Sequence, residues 1–252
     1  MKHILTGRHI VKTFGKGNET IKALNGVHVD IATGEFIAVM GPSGSGKSTL
    51  LFALSGMDGI TSGSVKLGDV ELSKLRENAL ANLRRTKMGF IFQQPTMLRN
   101  LNILDNILLP GTCKGKKDRE KLTQRAITLM NQTGITGLET RDTTEVSGGQ
   151  LQRAGICRAL MNAPEILFAD EPTGALNSKA AEDIMSLLAG INQEGTAILL
   201  VTHDPKVAAR ADRVLFTKDG SIVSELTLER FSHRDIVARG EQVLAGMAAV
   251  GI

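Results

Sequence analysis

The chain has 252 residues, of which 42% are hydrophobic and 22% are charged, which fits a globular protein with one large α/β domain or two small ones. Its formal net charge of +4 is too small to argue for nucleic acid, and without Trp or Tyr it offers few aromatic platforms for stacked bases. The N-terminus lacks the apolar core of a signal peptide, and no apolar run approaches the roughly 18 residues of a membrane span. Cys113 and Cys157 form no Cys-x-x-Cys pair, so we expect a reduced, cytosolic protein.

The predicted elements alternate between strand and helix over much of the chain. In chain order the pattern predicts strands at 23–31, 36–40, 64–67, 70–72, 90–92, 166–169 and 197–201, and helices at 49–54, 76–84, 103–109, 121–133, 151–161, 179–191 and 205–211. A basic segment at 114–119 is predicted to be a solvated loop. The regular alternation after residue 165 implies an α/β fold with a mainly parallel sheet.

The most specific motif is a glycine-rich loop, Gly-Pro-Ser-Gly-Ser-Gly-Lys-Ser, between the strand 36–40 and the helix 49–54. Glycines let the backbone turn its N–H groups around a phosphate, and the helix N-terminus adds its dipole. We expect Lys47 to reach the β- and γ-phosphates and the Ser48 hydroxyl to bind Mg²⁺. A glycine-rich turn without a ligand is disfavoured because every motif position is filled. The predicted nucleotide-binding residues here are Gly41, Pro42, Ser43, Gly44, Ser45, Gly46, Lys47, Ser48 and Thr49.

Two further strands end in polar residues. The strand 166–169 leads into Asp170 and Glu171, and the strand 197–201 leads into Thr202 and His203. Because ligands of an open α/β sheet bind at the carboxyl ends of its strands, we expect these groups to converge on one nucleotide. Glu171 is placed to accept a proton from water, although a carboxylate that simply begins a helix is an alternative.

A second candidate phosphate site precedes the predicted helix 151–161, where the chain reads Ser147-Gly148-Gly149-Gln150. Glycines before a helix offer unpaired backbone N–H groups, and the serine adds a hydroxyl. The alternative is that Ser147 is only the N-cap of the helix.

These pieces resemble, in their order and spacing, the ATP-binding-cassette (ABC) ATPases, and the resemblance covers nearly the whole chain. The matching segments are 41–48, the loop at Gln93, 146–150, 166–171, 174–177 and His203. The resemblance implies a P-loop NTPase fold whose ATPase domain covers 1–226. That domain would have a mainly parallel core sheet, an N-terminal antiparallel β subdomain and an inserted helical subdomain at about 94–162. A helical extension at 227–252 would follow.

The resemblance also implies roles for individual residues. Gln93 would link Mg²⁺ and the attacking water to the helical subdomain, unless it is only a surface amide. Asp170 would lie near Mg²⁺, Glu171 would be the general base, and His203 would contact the γ-phosphate. Phe14 would stack on adenine, although a phenylalanine among Ile and Val residues can equally be part of the core.

In the same family the segment from Ser147 through Gly148 and Gly149 to Gln150 contacts ATP bound to the other protomer, so the working unit would be a dimer. The sequence departs from the family at Val146, which replaces the usual Leu, and at Asn177, which stands where many relatives have Asp. The second change removes a charge from the loop that the resemblance places across the dimer interface.

The expected function is that of an ATP-hydrolysing motor subunit of a membrane transporter, with ATP and Mg²⁺ as its ligands. A soluble ABC ATPase of DNA repair would need a long coiled coil after Ser48, and no heptad run follows it. A translation factor would carry two cassettes. The segments 90–110 and 169–178 are most similar to the branch of macrolide export, lipoprotein release and bacitracin-type resistance, and the ending 239–252 is most similar to the antimicrobial-peptide resistance group.

The expected partners are a second copy of the chain and an integral membrane permease, with no nucleic acid. The protein would then lie peripherally on the cytoplasmic face of the plasma (inner) membrane, and the substrate would be a peptide, an antibiotic or a lipid-linked molecule. An unusually apolar stretch at 97–109, after Gln93, is a candidate for docking a helix of the permease. The alternative is that these residues line the inside of the helical subdomain.

Overall fold

The computed structural model describes residues 2–15, 20–112, 119–229 and 235–252. Within these ranges the strands are β1 (His3–Phe14), β2 (Ile21–Ala32), β3 (Phe36–Met40), β4 (Ser62–Leu67), β5 (Val70–Glu71), β6 (Met88–Phe92), β7 (Ile166–Asp170), β8 (Ala197–Val201), β9 (Arg213–Lys218) and β10 (Ser221–Thr227). The helices are α1 (Lys47–Leu54), α2 (Glu77–Lys87), α3 (Ile103–Thr112), α4 (Arg119–Gln132), α5 (Gly148–Leu160), α6 (Ser178–Gln193), α7 (Pro205–Ala208) and α8 (Ile236–Ala249).

The described strands form two sheets. A six-stranded sheet has the order β10-β9-β3-β8-β7-β6, in which β10 is antiparallel to β9 and the other neighbours are parallel. A four-stranded antiparallel sheet has the order β2-β1-β4-β5. The predicted α/β class with a mainly parallel sheet is therefore confirmed, and β3, β7 and β8 lie side by side.

The apolar interior has three parts. One fills the space between the two sheets around α1, and a second covers the opposite face of the parallel sheet beneath α6, α7 and α8. The central strands β3 and β8 are buried along their whole length, which explains why they read as continuous apolar runs. The third part joins α3, α4 and α5 into a separate helical cluster.

Most of the apolar stretch after Gln93 belongs to this helical interior. Ile103, Ile107 and Leu108 are buried in the cluster, and Met97 packs against it. Leu98 is different, because 48% of it is exposed. Most of the stretch therefore lines the inside of the helical cluster, whereas Leu98 lies on the surface.

Several element boundaries differ from the predicted ones. Helix α5 begins at Gly148 rather than 151, because Ser147 caps it, and α7 ends at Ala208 rather than 211. The strand predicted at 70–72 stops at Glu71, where a 3₁₀ turn begins at Leu72. Between 211 and 227 the sequence pattern predicts no strand, whereas the structure has β9, whose four central residues are buried, and β10, which forms the edge of the six-stranded sheet.

Cys157 is a buried core residue of α5, as predicted, and burial raises the pKa of its thiol to about 11. Cys113 and residues 114–118 of the predicted basic loop lie outside the described residues, while Arg119 begins α4. Within the described ranges, the helices include none with both the length and the apolar character needed to cross a membrane.

Candidate active site

Three adjacent strands deliver the predicted functional residues to one edge of the parallel sheet. β3 ends at the glycine-rich loop, β7 ends at Asp170, and β8 is followed by Thr202 and His203. A cavity of about 360 Å³ lies at this edge. Its lining residues are Gly41, Pro42, Ser43, Lys47, Glu171, His203, Met247 and Ile252.

The backbone of the glycine-rich loop requires glycine at specific positions. Gly46 has φ +94°, and a Cβ there would lie 2.5 Å from the carbonyl oxygen of Ala23. Gly41 passes so close to β9 that an added Cβ would lie 2.2 Å from the carbonyl oxygen of Thr217. Helix α1 starts directly after Gly46, which provides no side-chain cap. The first N–H groups of α1 therefore remain available to an anion.

Lys47 lies across the same loop. Its Nζ donates hydrogen bonds to the carbonyl oxygens of Gly41 and Pro42, both at 2.8 Å. Burial lowers the pKa of Lys47, while the charges of Glu171 and Asp170 act in the opposite direction. The ammonium group of Lys47 thus lies between the loop and the carboxylates of Glu171 and Asp170. The negative charge of a phosphate bound there would stabilise it further.

Ser45 has a different environment from the rest of the loop. Its side chain is buried, and its hydroxyl is 2.9 Å from the Oγ1 of Thr217, which in turn donates to the carbonyl oxygen of Met40 at 3.0 Å. The hydroxyl of Ser45 therefore holds the loop to β9, and its backbone N–H donates within the loop to the carbonyl oxygen of Pro42 at 3.2 Å.

A pair of hard oxygen donors lies beside the loop. The hydroxyl of Ser48 donates to Oδ1 of Asp170 at 2.9 Å. Burial raises the pKa of Asp170, and the charge of Glu171 adds to this, while the Ser48 hydrogen bond opposes it. A hydroxyl and a carboxylate in contact are suitable ligands for Mg²⁺, which prefers oxygen donors and keeps several of its waters.

Glu171 and His203 form a pair at the mouth of the cavity, with the Nδ1 of His203 2.9 Å from Oε1 of Glu171. A carboxylate only accepts hydrogen bonds, so Nδ1 is the donor of this bond. His203 is 73% exposed at its side chain, whereas Glu171 is 19% exposed. The pair therefore has one sheltered member and one that faces solvent.

The backbone of Glu171 is unusual for a residue with a side chain, because its φ is +48°. Its N–H donates to the carbonyl oxygen of Val201 at 3.0 Å, which ties it to the end of β8. A left-handed non-glycine residue persists only where its surroundings hold it, and such residues cluster at active sites. The helix-start alternative for Glu171 is wrong, because α6 begins only at Ser178.

Gln93 is exposed and follows β6 directly. Its side chain packs against Gly174, where an added Cβ would lie 2.9 Å from the Nε2 of Gln93. Gln93 is not among the described residues that line the cavity with Lys47 and Glu171. The loop after Glu171 thus meets the Gln93 loop, but the amide itself lies outside the cavity.

The segment Ser147–Gln150 forms a reciprocal cap on α5. The hydroxyl of Ser147 accepts from the Gln150 N–H at 3.3 Å, and Oε1 of Gln150 accepts from the Ser147 N–H at 2.8 Å. In the described chain none of these residues lines the cavity at Lys47. Ser147 is therefore an N-cap, and Gly148 and Gly149 present the first turn of α5 on the surface. The contact of this segment with a nucleotide on another copy stays a prediction.

Phe14 lies at the end of β1 and is 44% exposed, so its assignment to the core is wrong. The Nζ of Lys12 lies 4.8 Å from the centroid of its ring, a cation–π contact. Phe14 is not among the described residues that line the cavity at Lys47. The Lys12 ammonium lies over one face of the ring, and much of the residue remains exposed to solvent.

Two residues of the cavity, Met247 and Ile252, have no counterpart among the predicted site residues. They reach it because α8 folds back onto β9, where Gly246 packs against the ring of Phe216. The Nζ of Lys218 then donates to the carbonyl oxygen of Val250 at 3.2 Å. No local signal in the sequence predicts this tertiary contact.

Comparison with known proteins agrees with this geometry. Residues 24–174 match the family described as ABC transporter. The macrolide export ATP-binding/permease protein MacB of Mannheimia succiniciproducens is 42% identical over 223 residues, which are 88% of this chain and 34% of that protein. The bacitracin export ATP-binding protein BceA of Halalkalibacterium halodurans is 41% identical over 224 residues, which are 88% of each chain.

A solved structure supports the same assignment of fold. It is the dimeric, post-hydrolysis state of an ATP-binding cassette bound to ADP and Pi, with 38% identity and a TM-score of 0.83. The match covers 90% of this chain and 100% of that one. This chain spans about a third of the length of the macrolide-export relatives, but most of the length of the bacitracin-export relative.

Proposed function

The chain belongs to the ABC transporter family, and from that premise we propose that it is the ATP-binding and ATP-hydrolysing motor subunit of a membrane transporter. The observation that carries the proposal is the meeting of Lys47, the Ser48–Asp170 pair and the Glu171–His203 pair at three neighbouring strand ends. These groups supply a phosphate cradle, a metal site and a base at one edge of the sheet.

In the proposed reaction the glycine-rich loop and Lys47 bind the phosphates of ATP. Ser48 and Asp170 would hold Mg²⁺, with Gln93 as a further ligand, and the ion would offset the negative charge of the phosphates. Glu171 accepts the proton of the attacking water through the carboxylate oxygen that His203 does not contact. The solvent-facing imidazole of His203 is placed to contact the γ-phosphate and to fix the orientation of Glu171.

The proposed unit of action is a dimer that closes over two Mg-ATP. Within one chain the first turn of α5 lies outside the cavity at Lys47, so a second copy would bring its Ser147, Gly148 and Gly149 to the bound nucleotide. The related cassette crystallised as a dimer with ADP and Pi supports this arrangement. Closing and reopening would be the mechanical output.

Asn177, which replaces the Asp of many relatives, retains a local role in this arrangement. Its Oδ1 accepts from the Ala180 N–H at 2.9 Å and caps α6. Asn and Asp are equally good N-caps, so the substitution removes a charge without removing the cap.

The proposed partner is a separate permease that exports or removes a peptide, an antibiotic or a lipid-linked substrate. Two relatives are named for the export of macrolides and of bacitracin, which supports an antibiotic among these classes. The motor would then lie peripherally at the cytoplasmic face of the inner membrane. A cavity of about 350 Å³ beside Phe92, the residue before Gln93, fits the docking of a short permease helix. Its lining includes three apolar residues, Met57, Phe90 and Pro110, and three arginines, Arg84, Arg85 and Arg158.

The composition of this cavity predicts the chemistry of the docked helix. The apolar lining residues favour apolar side chains on the docked helix, and the arginines favour acidic ones. The cavity is lined by residues of β6, the strand that immediately precedes Gln93, so a shift of the Gln93 loop at the nucleotide would reach the permease directly. Leu98, which the sequence singles out, does not line the cavity; Met57 does, and it is 44% exposed.

The test is co-expression and co-purification with a candidate permease of the kind that pairs with this family, using a matched pair of variants. Met57→Lys adds a cation to the arginine-lined cavity, and Val223→Lys changes a residue of β10 that is 45% exposed. We expect only Met57→Lys to lose the permease, with the ATPase of the isolated subunit retained in both variants. Retention of the permease by both would place the docking site elsewhere, and failure of the unmodified chain to capture any permease would favour a soluble ABC ATPase.

A further inference from the structure

Gln152, in the second turn of α5, is a buried polar residue with a specific pair of contacts. Only 1% of it is exposed. Its Nε2 donates to the carbonyl oxygen of Phe92 at 3.0 Å and to that of Pro172 at 2.8 Å. Both N–H groups of the amide are therefore used, and one side chain joins three separate segments of the chain.

The two carbonyl groups flank the residues on which the proposed chemistry depends. Phe92 immediately precedes Gln93, and Pro172 immediately follows Glu171. The same two loops also touch at Gly174, where the Gln93 side chain leaves no space for a Cβ. Gln152 thus fixes the backbone next to Gln93 and next to Glu171 from a single anchor on α5.

The anchor is close to the surface that α5 presents to a second copy. Ser147 caps the helix, and Gln152 lies about one turn further along the same rigid element. A displacement at the start of α5 would therefore move the amide that holds the Gln93 and Glu171 loops. A displacement of the Gln93 or Glu171 loop would likewise move the start of α5, because these buried segments are hydrogen-bonded to one side chain.

We propose that Gln152 is a positioning residue of the ATPase reaction that keeps Gln93 and Glu171 in register with the start of α5. In this way it couples the ATP site of its own chain to the site that Ser147 completes on a second copy. This inference rests on the proposed function, because it assumes a dimer with two composite sites.

A purely structural amide provides the matched control. Asn192, near the end of α6, also donates through one nitrogen to two backbone carbonyl oxygens, those of Gly34 and Thr196, each at 3.0 Å. These carbonyls precede β3 and β8, so they lie at the opposite end of the strands from the cavity. Asn192→Leu and Gln152→Met each remove the same kind of double hydrogen bond while keeping the side-chain size.

The experiment compares these variants in the full chain by thermal unfolding, ATP affinity and steady-state ATPase activity as a function of ATP concentration. We expect a similar loss of thermal stability in both. We expect kcat to fall about ten- to hundredfold only in Gln152→Met, the usual effect of removing a group that orients catalytic ligands, with ATP affinity unchanged within about twofold. Its Hill coefficient should also fall towards one.

A donor-restoring variant sharpens the test. In Gln152→Lys the ammonium group can donate to both carbonyl oxygens, and we expect it to recover part of the kcat lost in Gln152→Met. Should Gln152→Met fail to fold, Gln152→Asn replaces it, since the shorter amide reaches only one carbonyl.

The inference is overturned if the unmodified chain hydrolyses ATP while the Gln152 variants match Asn192→Leu in kcat and Hill coefficient. An unmodified chain that hydrolyses no ATP would instead overturn the proposed function itself. The two failures are therefore distinguishable in one set of assays.

Discussion

Two helices of this molecule begin after a segment rich in serine and glycine, but their first turns are built differently. Helix α1 follows Gly46, a left-handed residue without a side-chain cap. Helix α5 follows Ser147, which forms a reciprocal cap with Gln150. At the start of α1 no side chain accepts from the first backbone N–H groups, so a ligand can. At the start of α5 the Ser147 hydroxyl already accepts from one of these N–H groups.

The surroundings of the two helix starts also differ, in burial and in charge. The first turn of α1 lies in a cavity with a cation and two carboxylates, where burial shifts the pKa of Lys47 and of Asp170. Ser147 and Gly148 are exposed, and α5 has no acidic or basic side chain in its first turn. The comparison teaches that similar residues produce an uncapped helix start inside a charged cavity in one place and a capped, exposed helix start in the other.

The largest expected effect is the loss of ATP hydrolysis in a variant that still binds ATP at the starts of α1 and α5. Glu171→Gln removes the proton acceptor and leaves the cavity shape intact, so kcat should fall about 10²- to 10⁴-fold. ATP binding should persist, and the variant should accumulate as an ATP-bound dimer in size-exclusion chromatography. Near-normal hydrolysis by purified Glu171→Gln would remove Glu171 from the role of base.

The second prediction separates the two roles of Ser147. Asp is as good an N-cap as Ser, so Ser147→Asp should keep the free energy of unfolding, while its charge opposes a phosphate and costs several kcal/mol in ATP-driven dimerisation. Ser147→Ala should instead lose about 0.5–2 kcal/mol of stability with the cap. Denaturant unfolding and ATP-dependent sedimentation measure the two effects. If Ser147→Asp dimerises normally with ATP, the start of α5 serves only as a cap.

The smallest expected effect concerns the buried carboxylate beside α1. The folded pKa of Asp170 is raised, so above the ordinary carboxyl range the folded chain holds a proton that the unfolded chain has lost, and stability falls as pH rises through this window. Asp170→Asn removes that loss. Without nucleotide, the variant should therefore have a higher free energy of unfolding at neutral pH than the unmodified chain.

The control for this prediction is the effect of Mg-ATP. The same variant should gain less thermal stability from Mg-ATP than the unmodified chain, because the neutral amide is a poorer ligand for the ion. At acidic pH, where Asp170 is protonated in both folded and unfolded chains, the two proteins should be equally stable. A stability difference that does not change with pH would exclude the raised pKa as its cause.

The sequence predicted the parts of the site that depend on local pattern. The strands β3, β7 and β8 were predictable because each is a short apolar run that is buried within a parallel sheet and leads into a polar or glycine-rich segment. The start of α1 was predictable because the glycine-rich loop has a fixed spacing. The roles of the individual site residues stay predictions, and Gln93 and Phe14 differ from Lys47 and Glu171 in that they do not line the cavity.

The remaining features arise from tertiary contacts that no local pattern encodes. The left-handed backbone of Glu171 depends on a hydrogen bond to Val201 in a neighbouring strand. The approach of Met247 to the cavity depends on α8 packing over β9. Nothing in the sequence of α5 indicates that Gln152 is buried or that its side chain donates two hydrogen bonds.

The central claim is that each ATP site combines Lys47 of one copy with Ser147 of the other, and mixed dimers test it most directly. All chains carry Glu171→Gln, so that bound ATP is retained, and two different tags select mixed dimers. One mixed dimer pairs a Lys47→Ala chain with a Ser147→Arg chain. The other pairs a chain that carries both substitutions with a chain that carries neither.

If the sites are composite, the first mixed dimer confines both lesions to one site and should retain one ATP, while the second damages both sites and should retain none. If each chain instead builds its whole site alone, the result reverses: the first mixed dimer loses both sites and the second keeps one. Bound ATP per dimer, measured after tandem purification, decides between them, and the reversed result would contradict the account.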